Sequence, residues 1–309
     1  MSWEGRMRNP RICVVGAANM DLISYVPRLP RMGETLHGSR FHMGYGGKGA
    51  NQAVMAAKLG AEVVMVAKLG RDVFGEGTLE NFRSWGVDTA HVSFTDQAFS
   101  GVAPIAVDPQ GRNSIIIVTG ANDLLSPEDV ERARPAIASS RVMVCQLEAP
   151  LDTSLAALGI AREQGVTAIF NPAPARPELP ASCYQLSDVF CPNESETEML
   201  LGRPVTSPEE ADEAARALIE RGARSVVLTL GERGCLVARE GEAVHLPAEP
   251  VEAVDSIASP TSAGSGRTST RPPLPRMVSS AARQFTSASC SRPTSPPRTA
   301  SRAIVSKTA

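Results

Sequence analysis

Short apolar runs alternate with longer amphipathic segments along the first 250 residues of the chain. The apolar runs are four to eight residues long and end at glycine or polar positions, which predicts buried strands. These strands are expected at 11–16, 61–70, 141–148, 165–171, 187–193 and 223–231. The segments with helical periodicity lie between them, at 50–60, 126–138, 151–164, 193–201 and 208–221. This alternation predicts an α/β fold with a mostly parallel central sheet covered by helices.

Local signals mark several ends of the predicted helices. Ser126 and Ser207 each precede a proline, a pattern typical of a helix N-cap followed by proline in the first turn. Gly165 and Gly222 lie where the helices should end, because glycine readily adopts the left-handed backbone conformation of a C-terminal cap.

Two segments depart from this alternation, at 34–47 and 100–122. Both have the character of antiparallel hairpins, and the sequence Asp-Pro-Gln-Gly-Arg-Asn at 108–113 indicates a turn within the second. We expect them to form a small β-sheet that lies as a lid over the carboxyl edge of the main sheet.

Charge divides the chain into two unlike parts. The 309 residues have a formal net charge of −2 and a hydrophobic content of 42%, values typical of a soluble globular protein. All 33 acidic residues, however, lie at or before Asp255. The last 54 residues contain seven arginines, one lysine and no acidic residue, so they carry +8 and leave −10 on residues 1–255. An acidic globular body therefore precedes a basic tail.

The six cysteines are scattered without the spacing of a metal site or a paired CxxC motif. Cys13 and Cys145 lie within apolar runs, which favours buried free thiols and a reducing compartment. The N-terminal segment has no apolar signal region, and no apolar run has the roughly 18 residues of a membrane span. The expected compartment is the cytosol, with the nucleus as the alternative.

Candidate binding residues follow the first strands, where ligands bind in open α/β sheets. Asn19 and Asp21 come after the first strand, and Lys48 and Asn51 lie in a glycine-rich turn that enters a helix. Such a turn allows close approach of an oxygen-rich ligand, although a plain tight turn is the alternative. Glu148 ends another strand, where a solvated carboxylate or a salt-bridge partner is the alternative to a ligand contact.

Two later segments each allow a structural and a functional interpretation, and for the first of them the structural one is by itself the better. Asn193 and Glu196 have the spacing of a capping box that starts a helix, which by itself explains both residues. The sequence Thr-Leu-Gly-Glu-Arg-Gly at 229–234 follows a strand and is either a hairpin turn or a glycine-lined contact with a nucleotide.

Taken together and in this order, these segments resemble the ribokinase-like (PfkB) carbohydrate kinase family over about residues 11–255. The most specific part is GGKGANQA at 46–53, supported by Asn19 and Asp21, CQLE at 145–148, NESE at 193–196 and TLGERG at 229–234. The resemblance implies a three-layer αβα fold with a small β-lid that often pairs two subunits. It also implies transfer of the γ-phosphoryl group of ATP to a sugar hydroxyl, with D-ribose converted to ribose 5-phosphate.

Residue roles follow from the same resemblance. Sugar contacts are implied for Asn19, Met20, Asp21, Gly47, Lys48, Gly49, Ala50, Asn51 and Glu148. ATP contacts are implied for Asn193, Glu196, Thr229, Leu230, Gly231, Glu232, Arg233 and Gly234. Glu196 would reach a hydrated Mg²⁺ through water, and Asp255 would belong to a monovalent-cation site that suits K⁺. The implied partners are a small sugar, ATP and a second copy of the chain, without a membrane or a nucleic acid.

The resemblance ends after Asp255. The family continues with a Gly-Ala-Gly-Asp turn that supplies an anion hole and a general base, whereas this chain continues with a Ser-, Thr-, Pro- and Arg-rich segment. Its proline density opposes regular helices, so residues 256–309 are expected to be a disordered non-family tail. The chain is therefore expected to be inactive or weakly active. A shifted reading frame or altered splice after codon 255 is the preferred explanation, with a natural tail as the alternative.

Two other functions stay open at this point. The first is a non-catalytic sugar- or nucleotide-binding protein, or a partner that pairs with intact subunits through the lid. The second is a nucleic-acid-binding role for the basic tail, which is disfavoured because Phe285 is its sole aromatic residue for stacking on bases.

Overall fold

The computed structural model describes residues 10–249, which form two β-sheets and the helices around them. The strands are β1 Arg11–Val15, β2 Asn19–Tyr25, β3 Arg40–Gly46, β4 Glu62–Gly70, β5 Asp88–Thr95, β6 Gly101–Val107, β7 Asn113–Ile115, β8 Val142–Gln146, β9 Thr167–Asn171, β10 Val189–Phe190, β11 Ser225–Thr229, β12 Cys235–Arg239 and β13 Glu242–Leu246. The helices are α1 Lys48–Lys58, α2 Val73–Ser84, α3 Pro127–Arg132, α4 Arg134–Ala138, α5 Leu151–Gln164, α6 Ala181–Gln185, α7 Glu194–Leu201 and α8 Pro208–Glu220. Short 3₁₀ turns lie at Gly120–Leu124 and Gly231–Arg233.

The main sheet has the strand order β13-β12-β11-β10-β9-β8-β1-β4-β5 within the described residues. Neighbours from β11 through β5 run parallel, and β12 and β13 continue the sheet as antiparallel strands. The predicted α/β fold class is therefore confirmed. The predicted boundary at 255, Asp255 itself and the tail 256–309 lie outside the described residues.

Two apolar clusters hold the helices against the main sheet. On one face, buried residues of α3 to α8 pack against β1, β4, β8, β9, β10, β11 and β12. On the other face, α1 and α2 pack against β1, β4, β5 and β8 only. The side chains of β9 to β12 that point to this second face, such as Ile169, Val189, Val227 and Val237, are half-buried. Among the helices of residues 10–249, those that pack on this half of the sheet all lie on one face.

The small sheet has the order β3-β2-β6-β7. Strand β3 lies in the predicted hairpin segment 34–47, and β6 and β7 lie in the segment 100–122. Its central strand β2, however, was not predicted, because Asn19 and Asp21 suggested a loop after β1. Strand β2 pairs antiparallel with β3 and parallel with β6 over seven residues each. The small sheet is therefore built from three excursions of the chain.

The helix-end signals describe most of the observed ends. Ser126 and Ser207 each form a capping box, and Gly165 ends α5 with a left-handed φ of 67°. The single helix predicted at 126–138 is wrong, because the structure has two short helices there. Pro135 in the first turn of α4 has no backbone N–H, so it cannot continue the hydrogen-bond ladder of α3.

Several elements were not predicted, namely α2, α6, β5, β12 and β13. Strand β5 has a half-buried, irregular pattern, and β13 is mostly exposed at the edge of the sheet. Neither pattern gives the continuous apolar signal of a buried parallel strand. Among the described residues, no helix combines the length and apolar character needed to cross a bilayer.

The first turn of α1 packs tightly on the link between β1 and β2, which predicts different effects for two glycine-to-alanine substitutions. A Cβ added at Gly49 would lie 2.7 Å from the carbonyl oxygen of Ala17 and 2.9 Å from its nitrogen. Gly159 in the middle of α5 has open space around the same position. We expect G49A to lower the free energy of unfolding by about 1–3 kcal/mol through overpacking. G159A should raise it by roughly 0.5–1 kcal/mol through helix propensity. Urea denaturation of both variants checks this, and equal effects would contradict the packing argument.

Candidate active site

Strand β2 carries the first candidate residues out of the main sheet and into the small sheet. Strand β1 ends at Val15, and three small residues connect it to Asn19 at the start of β2. Asn19 and Met20 are buried, and Asp21 is half-buried. The amide of Ala50 in α1 donates to the carbonyl of Ala17 in this link, at 3.0 Å. The two sheets and the start of α1 therefore meet at one point.

Glycines make this close approach possible. Gly47 immediately precedes α1 with φ of 90°, and an added Cβ would lie 2.8 Å from the Cα of Ala18 and the nitrogen of Asn19. At Gly46, an added Cβ would lie 2.2 and 2.4 Å from the two carboxylate oxygens of Asp21. Positive φ and the absence of space both require glycine here. The glycine-rich turn thus brings α1 against the residues that follow β1.

Glu148 links the end of β8 to the start of α1. One carboxylate oxygen accepts a hydrogen bond from the backbone nitrogen of Lys48 at 2.7 Å, and the other lies 3.1 Å from Lys48 Nζ. The Glu148 side chain is 6% exposed, whereas that of Lys48 is 38% exposed. Because Gly47 has no side chain to cap α1, Glu148 supplies an acceptor at this helix N-terminus. The interpretation as a solvated carboxylate is therefore wrong, and the salt-bridge interpretation is confirmed.

Asp21 has an unusual protonation equilibrium for an aspartate. Burial, with a smaller contribution from the negative charge of Glu148, raises the pKa of Asp21 to about 6. Glu148 forms a salt bridge with Lys48, whereas no cation from residues 10–249 forms a salt bridge with Asp21. The site thus holds two neighbouring carboxylates in different environments.

The remaining residues of the glycine-rich turn complete this side of the site. Gly49 and Ala50 are buried in the first turn of α1, where they contribute mainly backbone, and Asn51 is half-buried beside them. Lys48 and Asn51 are the polar side chains of this turn, and both lie next to the free N-terminal end of α1.

Asn193 and Glu196 form the predicted capping box at the start of α7. Asn193 Oδ1 accepts from the Glu196 backbone nitrogen and Glu196 Oε2 accepts from that of Asn193, both at 2.8 Å. Burial raises the pKa of Glu196, although the Asn193 hydrogen bond and the positive charge of Lys48 oppose this shift. The Lys48 ammonium is therefore within electrostatic range of Glu196. Structural capping is confirmed, and it leaves Glu196 Oε1 outside the capping pair.

The turn 229–234 connects β11 to the antiparallel β12, as the hairpin interpretation predicted. Thr229 pairs with Asn193 and its nitrogen donates to the carbonyl of Pro192, so this turn lies beside the start of α7. Thr229, Gly231 and Glu232 are exposed, whereas Leu230 is buried.

Arg233 fixes the shape of this turn. Its guanidinium forms a salt bridge with Glu194 of α7 and donates to the carbonyl of Thr206 at 2.6 Å. His245 Nε2 donates to the carbonyl of Arg233 at 2.7 Å. A Cβ at Gly234 would lie 2.0 Å from the carbonyl oxygen of Leu246, so that position also requires glycine. Arg233 is therefore better placed to brace the turn than to contact a phosphate.

Two buried amides beside the site were not predicted. Gln146 at the end of β8 donates to Gln52 of α1, and its Oε1 has no hydrogen-bond partner among the described residues. Asn122 in the 3₁₀ turn Gly120–Leu124 bonds to Ala18 and Asn19 across 104 and 103 positions of sequence. The sequence signal for Asn122 was weak, because Thr-Gly-Ala-Asn looked like the end of a hairpin. Within residues 10–249, no group of three His, Cys, Asp or Glu side chains has the geometry of a metal site.

Comparison with known proteins gives consistent results. A sequence profile described as pfkB family carbohydrate kinase matches residues 9–259. Mouse ribokinase is 46% identical over 247 residues, which cover 79% of this chain and 76% of that protein. Deoxyribokinase from Salmonella typhi is 43% identical over 245 residues, which cover 79% of this chain and 80% of that protein. The structure of Arabidopsis thaliana ribokinase complexed with ribose and ATP superimposes with a TM-score of 0.71 at 29% identity, covering 80% of each chain.

The raised pKa of Asp21 predicts that D21N stabilises the protein in a pH-dependent way. Below about pH 3, the carboxyl group is mostly protonated in both states. Between about pH 4 and pH 6 only the unfolded state ionises readily, so the free energy of unfolding falls as pH rises. We expect D21N to be more stable than the wild type by about 1–3 kcal/mol at about pH 8, with the difference vanishing below about pH 3.

Urea denaturation at these pH values measures the effect. D152N provides a control, because Asp152 is exposed in the first turn of α5 and should change stability by less than about 0.5 kcal/mol at each pH. A D21N difference that grows toward low pH would contradict the assignment of Asp21.

Proposed function

Because the chain belongs to the pfkB family of carbohydrate kinases, which transfer a phosphoryl group to a sugar, we propose that its site binds D-ribose and ATP. The observation that carries this proposal is the arrangement of Asp21, Lys48 and Glu148 around the start of α1. Vicinal hydroxyl groups require acceptors and donors in alternation, and two carboxylates with one ammonium group provide both.

The sugar is proposed to lie between β2, the glycine-rich turn and the end of β8. Asp21 and Glu148 accept hydrogen bonds from hydroxyl groups, and Lys48, Asn19 and Asn51 donate to sugar oxygens. Met20, Gly47, Gly49 and Ala50 line this space with backbone and small side chains. Both ribose and deoxyribose are candidate sugars, since a ribokinase and a deoxyribokinase are each more than 40% identical to the chain.

ATP is proposed to lie along the turn 229–234 and the start of α7. Exposed backbone at Thr229, Gly231 and Glu232 is available to the nucleotide, while Leu230, Arg233 and Gly234 hold the turn in shape. The N-terminus of α7 suits negatively charged phosphates.

The cations are assigned by donor chemistry. Glu196 has one carboxylate oxygen outside its capping pair, which fits contact with Mg²⁺ through a bound water. Mg²⁺ would neutralise charge on the transferring phosphate. Asp255, outside the described residues, is assigned to the K⁺ site on sequence alone.

The same proposal includes weak or absent turnover. No acidic residue follows Asp255, so the family's general base and its Gly-Ala-Gly-Asp turn have no counterpart in the sequence. A general base contributes about 10²–10⁴ in rate. Each lost anion-hole donor costs about 10²–10³. A ribokinase-type chain that binds both ligands and transfers phosphate weakly or not at all is therefore the form of the function that we propose, with a non-catalytic binding protein as the alternative.

We also propose that the small sheet pairs two copies of the chain. Phe41 and Met43 of β3 project from the same face of the sheet and are 58% and 53% exposed. Ile116 beyond β7 is 64% exposed. Exposed apolar residues thus lie at both edges of the small sheet, β3 and β7. Exposed apolar surface of this kind is typical of an interaction site, and a second copy supplies a matching surface by two-fold symmetry.

Calorimetry and a coupled ADP assay on the purified full-length chain test binding and turnover separately. We expect ribose binding with an ADP-formation rate at least about 10² lower than that of mouse ribokinase measured in parallel. E148Q should weaken ribose binding and leave ATP binding unchanged. Turnover comparable to mouse ribokinase would contradict the missing-base proposal, and absence of ribose binding would contradict the sugar assignment.

Titration with 2-deoxyribose under the same conditions tests the choice of sugar. Tighter binding of 2-deoxyribose than of ribose would show that the site belongs with the deoxyribokinase relatives. Translation of the coding DNA in the two other frames tests the origin of the tail. A Gly-Ala-Gly-Asp-like segment in either frame is the expected result, and its absence from both would favour a natural tail.

Sedimentation analysis of lid variants tests the proposed pairing. M43K places a charge in the centre of the exposed apolar face and should convert a dimer to a monomer. L59K serves as a control, because Leu59 is 70% exposed but lies at the end of α1, away from the small sheet. A wild-type chain that sediments as a monomer, or a dimer unaffected by M43K, would contradict the proposal.

A further inference from the structure

Asn122 has a position that no part of the proposed function uses. It lies in the 3₁₀ turn Gly120–Leu124 and is 2% exposed. Its Oδ1 accepts from the backbone nitrogen of Ala18 at 2.9 Å, and its Nδ2 lies 3.1 Å from the carbonyl of Ala18. One side chain therefore satisfies both backbone polar groups of the residue that precedes Asn19.

The same amide also contacts the side chain of Asn19. Asn122 Nδ2 also lies 2.8 Å from Asn19 Oδ1 and 2.9 Å from the carbonyl of Thr119, so its two hydrogens are shared among three acceptors, the Ala18 carbonyl included. A Cβ at Gly101 would lie 2.2 Å from Asn19 Oδ1 and 2.3 Å from Asn122 Nδ2. Gly101 thus packs directly over this hydrogen bond and leaves no room for a water molecule to replace it.

This contact determines which end of the Asn19 amide is available to a ligand. Because Oδ1 is held by Asn122, the planar amide directs Nδ2 to the opposite side. Asn19 is 4% exposed, and no acceptor from residues 10–249 is hydrogen-bonded to its Nδ2. This NH₂ group is not among the fully buried polar atoms that lack a partner, so it is accessible to an acceptor oxygen of a ligand.

We propose that Asn122 is a positioning residue of the sugar site, which holds the Asn19 amide so that its NH₂ group donates to a sugar oxygen. This inference rests on the proposed sugar site. Asn122 does not touch the sugar in this arrangement and acts on it through the orientation of the Asn19 amide. It also ties this orientation to the base of the small sheet, since Thr119 adjoins Val118, which pairs with Val102 of β6.

The chemistry requires an amide at position 122. An aspartate there would present two acceptor oxygens to Asn19 Oδ1 and to the Ala18 carbonyl, so Asn19 would rotate and offer its own oxygen to the sugar. Alanine would remove the contact altogether and leave both ends of the Asn19 amide available. N122D and N122A therefore alter the orientation of Asn19 by different routes.

Ribose titration calorimetry of N122D, N122A, N19A and the double variant N19A/N122A tests the inference. We expect N122D and N122A each to weaken ribose binding by about tenfold or more. In the N19A background, N122A should change ribose affinity by less than about twofold, because its effect passes through Asn19. ATP affinity should be the same in all variants.

T153V is the matched control for a merely structural loss. Thr153 is also buried, and its hydroxyl donates to the carbonyl of Leu125 at 2.6 Å, at the end of the same 3₁₀ turn. It should lower the thermal midpoint without changing ribose affinity. Full ribose affinity in N122D, or additive losses in the double variant, would overturn the inference.

Hydrogen exchange of the ligand-free protein provides a test that does not depend on sugar binding. N122A should accelerate exchange of the Ala18 amide, whose acceptor it removes, and leave the amides of α8 unchanged. Unaltered exchange at Ala18 would overturn the anchoring role of Asn122. If the Ala18 amide of the wild type exchanges more slowly than that of N122A but the wild type does not bind ribose, the sugar assignment fails, and the positioning role of Asn122 fails with it.

Discussion

The close approach of α1 to the link between β1 and β2 is the constraint on which the rest of the structure depends. Gly47 and Gly49 allow it, since a side chain at either position would meet backbone atoms of residues 16–19. The approach brings the uncapped end of α1 to Glu148, at the end of a neighbouring parallel strand. A packing requirement of the backbone thereby fixes the positions of an ammonium group and two carboxylates.

Strand β2 belongs both to the small sheet and to the proposed sugar site. It begins at Asn19, carries Asp21 two residues later on the same face, and continues as the central strand of the small sheet. Movement of the small sheet relative to the main sheet would therefore shift both polar side chains. Asn122 opposes such movement by fastening the first residues of this strand to the turn that follows the lid.

The sequence predicted the fold class well, because buried parallel strands such as β1, β4 and β8 give continuous apolar runs. It missed β2, since Asn19 and Asp21 have the composition of a loop and the pairing that makes them a strand comes from β3 and β6, both distant in sequence. It also left Glu148 undecided, because a single carboxylate at a strand end does not reveal its partner. The Lys48 contact, made across 100 positions of sequence, decides this. The roles of the named residues in binding stay predictions.

Within the part of the chain that the structure describes, helices pack on one face of β9 to β12, and this has a consequence for cooperativity. In this half of the sheet Phe170, Phe190 and Leu228 are fully buried under helices, while Val227 and Val237 on the reverse side keep contact with solvent. Local opening costs less free energy where one side of a strand is unpacked. The half that carries the turn 229–234 should therefore fluctuate as a unit more readily than the half that carries Asp21 and Glu148. A molecule that binds only the folded form of the turn 229–234 would then raise the free energy of unfolding by mass action.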